Sequence, residues 1–345
     1  MTPTKLSAAL VVLGFSCFAP KAEAAGIAWC DQGKPITFAG VDWESGAFIT
    51  AVISTILAEG YDCKVDSIPG NTLLLEQANA DGEVQIFAED WLGRSDVLAK
   101  NIAEGKTIPV GHPFTGAVEG WFVPTYVIKG DPERGIAPMA PDLKSVTQLD
   151  DPAMVELFAD PEEMGKGRFL NCPSGWSCEA VSTAKLAAYG LDDKYVNMRP
   201  GTGIALDAQI TASYMQREPL LFYYWSPTAA MDKFDLTRLE EPPYNEECWK
   251  ELTDPDGKRD QACAYPAVEV IYSTNKDFHA AAPEVVEILT KAEFPLSEIN
   301  AALSYMIDND ANGEVAADWF LANKGDIWGN WVSPEARAKI EAAVE

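Results

Sequence analysis

Apolar positions along the chain switch repeatedly between two spacings. Ile36 to Val41 is a short continuous apolar run, as a strand covered on both faces is. From Ser45 the period changes. Phe48, Ile49, Val52, Ile53, Ile56 and Leu57 recur three and four apart, which predicts one buried face of a helix that Gly60 stops. Cys63 to Ile68 reads as the next strand, Leu73 to Ala80 as a helix and Val84 to Ala88 as a buried strand; Trp121 to Ile128 is a longer apolar run broken by Pro124. The second half repeats the alternation, with a helix from Ser177 to Tyr189 stopped by Gly190, another from Ala205 to Gln216, and a strand from Leu220 to Tyr224. Glu240 to Pro266, rich in Pro, Asp and Glu, reads as a long loop, and the segment from Pro283 onward as helical. Such alternation predicts an α/β architecture with mainly parallel sheets, and 345 residues suffice for two lobes.

Tryptophans fall at the ends of these strands. ITFAGVDW ends in Trp43, VQIFAEDW in Trp91 and LLFYYW in Trp225. Ligands of parallel α/β sheets bind just beyond the carboxyl ends of the strands, so the three rings stand where a pocket forms. One such ring alone is more often a lid on the core. Three in the same topological place favour a ligand wall.

Composition narrows the function. The net charge of -27 becomes -28 if Lys5, Lys21 and Glu23 are removed with a leader, since that segment carries +2 and -1. So acidic a chain repels nucleic acid and anionic membranes. The leader is expected over residues 1–24: Lys5, an apolar run from Leu6 to Phe18, then Ala22-Glu23-Ala24 form a cleavable export signal, placing the mature protein in the periplasm. Cys17 leaves with it; Gly14-Phe15-Ser16 is a poor lipid-attachment context. No metal or cofactor is implied, because the cysteines lack CxxC spacing and no Gly-rich phosphate loop is present. His112, His279, Asp42/Glu44 and Glu89/Asp90 follow no nucleophile or hydrolase signature, so no enzyme activity is expected.

Six cysteines remain after Cys17, an even number suited to an oxidising compartment. Cys30 precedes the first strand and Cys63 opens the second; parallel strands joined by a helix start at the same end of a sheet, so these two can meet. Cys248 and Cys263 bracket the polar loop, and Cys172 and Cys178 bracket CPSGWSC. With the last pair bonded, the loop is rigid, and the amides of Trp176, Ser177 and Cys178 emerge from a helix start. Such a start suits an anion, unless Ser177 merely caps the helix and water takes the rest. An aromatic wall beside an anion cradle fits a small zwitterion, because aromatic faces attract onium cations.

FAGVDWESGAF, AEDWLGR, CPSGWSCE and LFYYWSPTAAMDKFDLTRLEEP resemble the glycine betaine-, proline betaine- and choline-binding proteins of bacterial ABC importers, and the likeness spans nearly the whole mature chain. The resemblance implies a two-lobe periplasmic binding protein of the type II, Venus-flytrap kind, with the ligand in the cleft. It implies a prism of Trp91, Trp176 and Trp225, with Trp43 as a further wall, and a carboxylate held by the amides of Ser177 and Cys178. It also implies a membrane permease as partner and a monomeric protein.

Two positions depart from the family pattern. Ser95 stands where betaine-type members often carry a histidine, leaving Arg94 as the candidate fork for an acid group, and Trp121 stands where aliphatic residues are common, making it a candidate wall. Asp42 and Glu44 are candidate acceptors for a choline hydroxyl. The expected ligand is a quaternary ammonium or sulfonium zwitterion: glycine betaine, dimethylsulfoniopropionate or carnitine. Choline, a sugar stacked on the same rings, or a purely adhesive role are the alternatives. The expected lobes are residues 25–123 with 267–345, and 124–266, hinged at Pro124-Tyr126 and Tyr265-Val268.

Overall fold

The computed structural model describes residues 26–344; the expected signal segment and Cys17 lie outside them. One sheet contains β1 (Ile36–Gly40), β2 (Val65–Pro69), β3 (Ile86–Trp91), β4 (Thr107–Val110) and β10 (Val270–Asn275) in the order β2-β1-β3-β10-β4. The other contains β5 (Glu119–Pro124), β6 (Gly167–Leu170), β7 (Tyr195–Met198), β8 (Phe222–Trp225) and β9 (Leu236–Arg238) in the order β7-β6-β8-β5-β9. The sheets are mixed, not mainly parallel. β1 runs parallel to β2 and β3, and β6 to β7 and β8, but β10 is antiparallel to β3 and β4, and β5 to β8 and β9. The reason is topological. Strands of the βαβ units end at the cleft, whereas β5 and β10 enter their sheets from the other lobe and run away from it.

β5 also moves the lobe boundary. It pairs with β8 and β9, so the chain has crossed between Val110 and Glu119, before Pro124, and Trp121 belongs to the second lobe. On the return, Ala264 still bonds Pro242, while Glu269 already accepts from Leu92. The apolar run Trp121 to Ile128 is a strand followed by a short helix, Thr125–Lys129, with Pro124 at the junction.

The helix Glu44–Tyr61 buries Phe48, Ile49, Val52, Ile53, Ile56 and Leu57, the stripe its period announces. Gly60 does not stop it: it lies inside, where a Cβ would meet Ile340 Cδ1 at 3.0 Å, and Asp62 ends the helix at φ 58°. Thus the carboxyl-terminal helix Pro334–Ala343 packs back onto the first long helix, and the first lobe is built from both ends of the described chain. The cysteines pair as Cys30–Cys63, Cys172–Cys178 and Cys248–Cys263. The third bond braces a segment that is partly helical, Glu246–Thr253, begun by the Asn245 side chain accepting from Glu247 and Cys248.

Candidate functional site

The carboxyl ends of β1, β3 and β8 converge on the start of the helix Ser177–Ala188, and a cavity of about 40 Å³ lies between them, walled by Trp43, Trp91, Trp176 and Trp225. That space exceeds the ~10–15 Å³ needed by one ordered water. It is lined mainly by rings set at angles to one another. Trp176 meets Trp43 at 5.2 Å and Trp225 at 5.5 Å between centroids, both at 71°. Each of three indoles is anchored by its polar edge. Trp43 and Trp91 donate to Glu89 Oε1 at 2.9 and 3.0 Å, and Trp176 donates to Asp42 Oδ1 at 2.9 Å.

Ser177 and Cys178 also line the cavity. Trp176, not Ser177, occupies the N-cap position, and no side chain caps the helix there. The amides of Ser177 and Cys178 therefore keep their donor capacity at a helix end favourable to negative charge, whereas the expected third donor, the Trp176 amide, is taken by Pro173 O at 3.2 Å. The Cys172–Cys178 bond and Gly175 at φ 88° fix the loop that presents them.

Arg94 reaches the cavity wall, but its guanidinium is already engaged. Nε donates to Glu119 Oε1 at 2.5 Å, Nη2 joins the same ion pair, and Nη1 donates to Leu92 O at 3.0 Å. The other oxygen of Glu119 accepts from Tyr223 at 2.7 Å, and the Trp249 ring lies 5.4 Å from the guanidinium carbon. A two-pronged contact from Arg94 to a ligand acid group is therefore not available in this arrangement.

Three further candidates stand outside the cavity. Trp121 is fully buried, 4.3 Å from Phe169 and 5.9 Å from Tyr189. It shares a strand face with Glu119 but sits one pleat deeper, in the core. Asp42 is exposed and holds Trp176 from behind. Glu44 is partly buried, with its carboxyl pushed above the usual range by burial and drawn back by Lys233.

The reading from sequence missed Thr72, Glu89, Glu119 and Tyr223 as lining residues. Two of them had a signal. Glu89 precedes Trp91 by two residues, and Tyr223 precedes Trp225 by two, so strand alternation puts each pair on one face. Glu89 is fully buried, and burial pushes its carboxyl up to about 7 against the pull of the bonds from Trp91, Ser45 and Trp43.

A family model described as the substrate binding domain of ABC-type glycine betaine transport systems matches residues 34–323. The chain belongs to this family. Among relatives of this substrate-binding domain, the trimethylamine N-oxide-binding protein of Pelagibacter ubique is 26% identical over 301 residues, 86% of this chain and 90% of that one. The glycine betaine/proline betaine-binding periplasmic protein of Salmonella typhimurium is 24% identical, across 95% of this chain and 98% of its own. A choline-binding protein of an ABC transporter, solved with choline, has the same fold at a TM-score of 0.70 and 16% identity, covering 90% of this chain and 98% of that one. The architecture is thus the two-lobe fold of periplasmic binding proteins, and no helix among the described residues is long and apolar enough to cross a membrane.

Proposed function

We propose that this substrate-binding domain captures a small methylated onium zwitterion between its lobes, as a periplasmic monomer, and delivers it unchanged to the membrane permease of an ABC importer. The observation that carries the reading is the angled set of Trp43, Trp91, Trp176 and Trp225 around a cavity that also contains the start of the helix Ser177–Ala188. Each face contributes roughly 0.5–2 kcal/mol to a desolvated cation, while micromolar affinity requires about 8 kcal/mol. The amides of Ser177 and Cys178 supply the difference through charge-assisted bonds to an acid group, at roughly 1.5–3 kcal/mol each. Rings set at 71° to one another suit a rounded onium group better than the flat face of a sugar.

Choline is the second reading, and the pairing of Arg94 with Glu119 favours it, since among the described residues no uncommitted cationic side chain lines the cavity. Calorimetric titration with glycine betaine, dimethylsulfoniopropionate, trimethylamine N-oxide, carnitine, choline and a sugar panel decides between them. Glycine betaine and dimethylsulfoniopropionate are expected to bind more tightly than choline. The opposite order would select choline, and binding of sugars alone would sink the onium reading.

The described state is closed. A Cβ on Gly203 of the second lobe would lie 2.6 Å from Asp42 O of the first, and one on Gly175 2.6 Å from the Asn71 side chain. Lys233 and Asp308 form an ion pair across the same boundary at 2.9 Å. A cation held by rings from both lobes favours this state over an open one. Small-angle scattering should therefore show a smaller radius of gyration when glycine betaine is added. An unchanged radius at saturation would confine the site to one lobe.

A further inference from the structure

Among the acids of the described residues, Glu89 combines a place in the cavity lining with a bare buried oxygen. It lines the cavity, is fully buried, and gives Oε1 to three donors: Trp43 Nε1 at 2.9 Å, Trp91 Nε1 at 3.0 Å and Ser45 Oγ at 3.2 Å. Oε2 has no partner among the described residues. Buried acceptors are rarely left bare, and this one belongs to a residue that lines the cavity, next to the oxygen that holds two of its walls. Three donors on one oxygen stabilise the ionised carboxylate, and the rings around it attract a cation.

We propose that Glu89 is a specificity-determining residue, its free oxygen serving as the counter-charge to the onium group while its bonded oxygen holds two walls of the cage in place. This rests on the onium reading of the cavity and adds to it a fixed negative charge, so that a neutral isostere of the headgroup is refused. A proton on Glu89 competes with the ligand. Burial pushes the carboxyl up to about 7, and a bound cation lowers it, so binding below that pH releases one proton. Affinity should then fall about tenfold per pH unit below 7 and level off above it.

The surrounding charged groups have other engagements. Tyr272 on β10 stands near Glu89 and donates to Ala292 O. Asp90 takes Ser273 on Oδ2 while its Oδ1 has no partner among the described residues, but Asp90 does not line the cavity; Glu76 behind it takes Ser95. Arg94 and Glu119 form their own pair within the cavity lining. Asp42 holds Trp176, and Glu44 lies near Asp207, which takes Tyr224. Asp90 and Asp207 are also pushed to about 7 by burial, so the identity of the titrating group is read from a variant.

The test is calorimetric titration of the wild type and Glu89→Gln with glycine betaine and choline from pH 5.5 to 8. The wild type should show the slope, and proton uptake by buffers of different ionisation enthalpy should reveal the released proton. Glu89→Gln should bind both ligands roughly tenfold or more weakly at pH 8 and with no slope. Its melting temperature should match or exceed that of the wild type, showing that the cavity is intact. Equal affinity of wild type and variant at pH 8, a slope that persists in the variant, or affinity that rises as pH falls would overturn the assignment. If no onium compound binds the wild type at any pH while another solute does, the onium reading itself fails.

Discussion

Trp176→Ala should weaken every onium ligand roughly 100- to 1,000-fold, the scale of a central aromatic hot spot. The ring touches Trp43 of the first lobe and Trp225 of the second, and its N–H bonds Asp42. Its loss therefore removes a cage wall and a closed-state contact at once. Calorimetry with glycine betaine reads the effect. Trp121→Leu is the contrasting case: buried on Phe169, it should lower the melting temperature and leave affinity unchanged. A small loss with Trp176→Ala, or a large one with Trp121→Leu, would put the ligand elsewhere.

Arg94→Ala carries the largest expected effect on stability. Arg94 and Glu119 have side chains only 3% and 1% exposed, and removing one member of a buried ion pair leaves the other charge uncompensated, at about 3–5 kcal/mol. For a lobe of this size each kcal/mol moves Tm by about 2–4 °C, so a fall on the order of 6–20 °C is expected in a thermal melt. The guanidinium lies by the second crossing, 3.4 Å from Pro266 O, and Glu119 opens β5 just after the first crossing. Loss of the pair should accordingly weaken acid-bearing ligands and choline alike. Arg94→Met combined with Glu119→Leu should recover much of the stability, because no buried charge is left unpaired. A selective loss of acid-bearing ligands in Arg94→Ala, with an unchanged melt, would restore Arg94 as a direct ligand contact.

The contrast between Trp91 and Arg94 shows what could be read from the chain alone. Trp91 is placed by local rules: an apolar strand, its carboxyl end, and the cleft that α/β sheets form there. Trp43, Trp225 and the helix start after Trp176 follow by the same rules, as does the stripe of the helix Glu44–Tyr61. Arg94 is three residues from Trp91, yet its role depends on Glu119, which arrives on a strand crossing from the other lobe. Nothing local marks that crossing, because Trp121 to Ile128 has the apolar content of one continuous element whichever lobe receives it. Gly60 misleads for a related reason: its missing side chain serves a contact with Ile340, about 280 residues away in sequence. Glu89 was within reach through strand alternation, but a carboxylate inside an aromatic cage runs against the pattern of a buried apolar strand.

The indole N–H of Trp176 spans the cleft to Asp42, so one wall of the proposed cage doubles as a latch. On the proposed site, a solute would be enclosed by groups that must separate before it can leave, and its residence time would be limited by how often the lobes part rather than by how strongly any one ring holds it. Entry is subject to the same gate. A permease that levers the lobes apart takes Trp176 away from Trp43 in the same movement, dismantling the cage as it opens, so the cargo is let go without a competing solute to displace it.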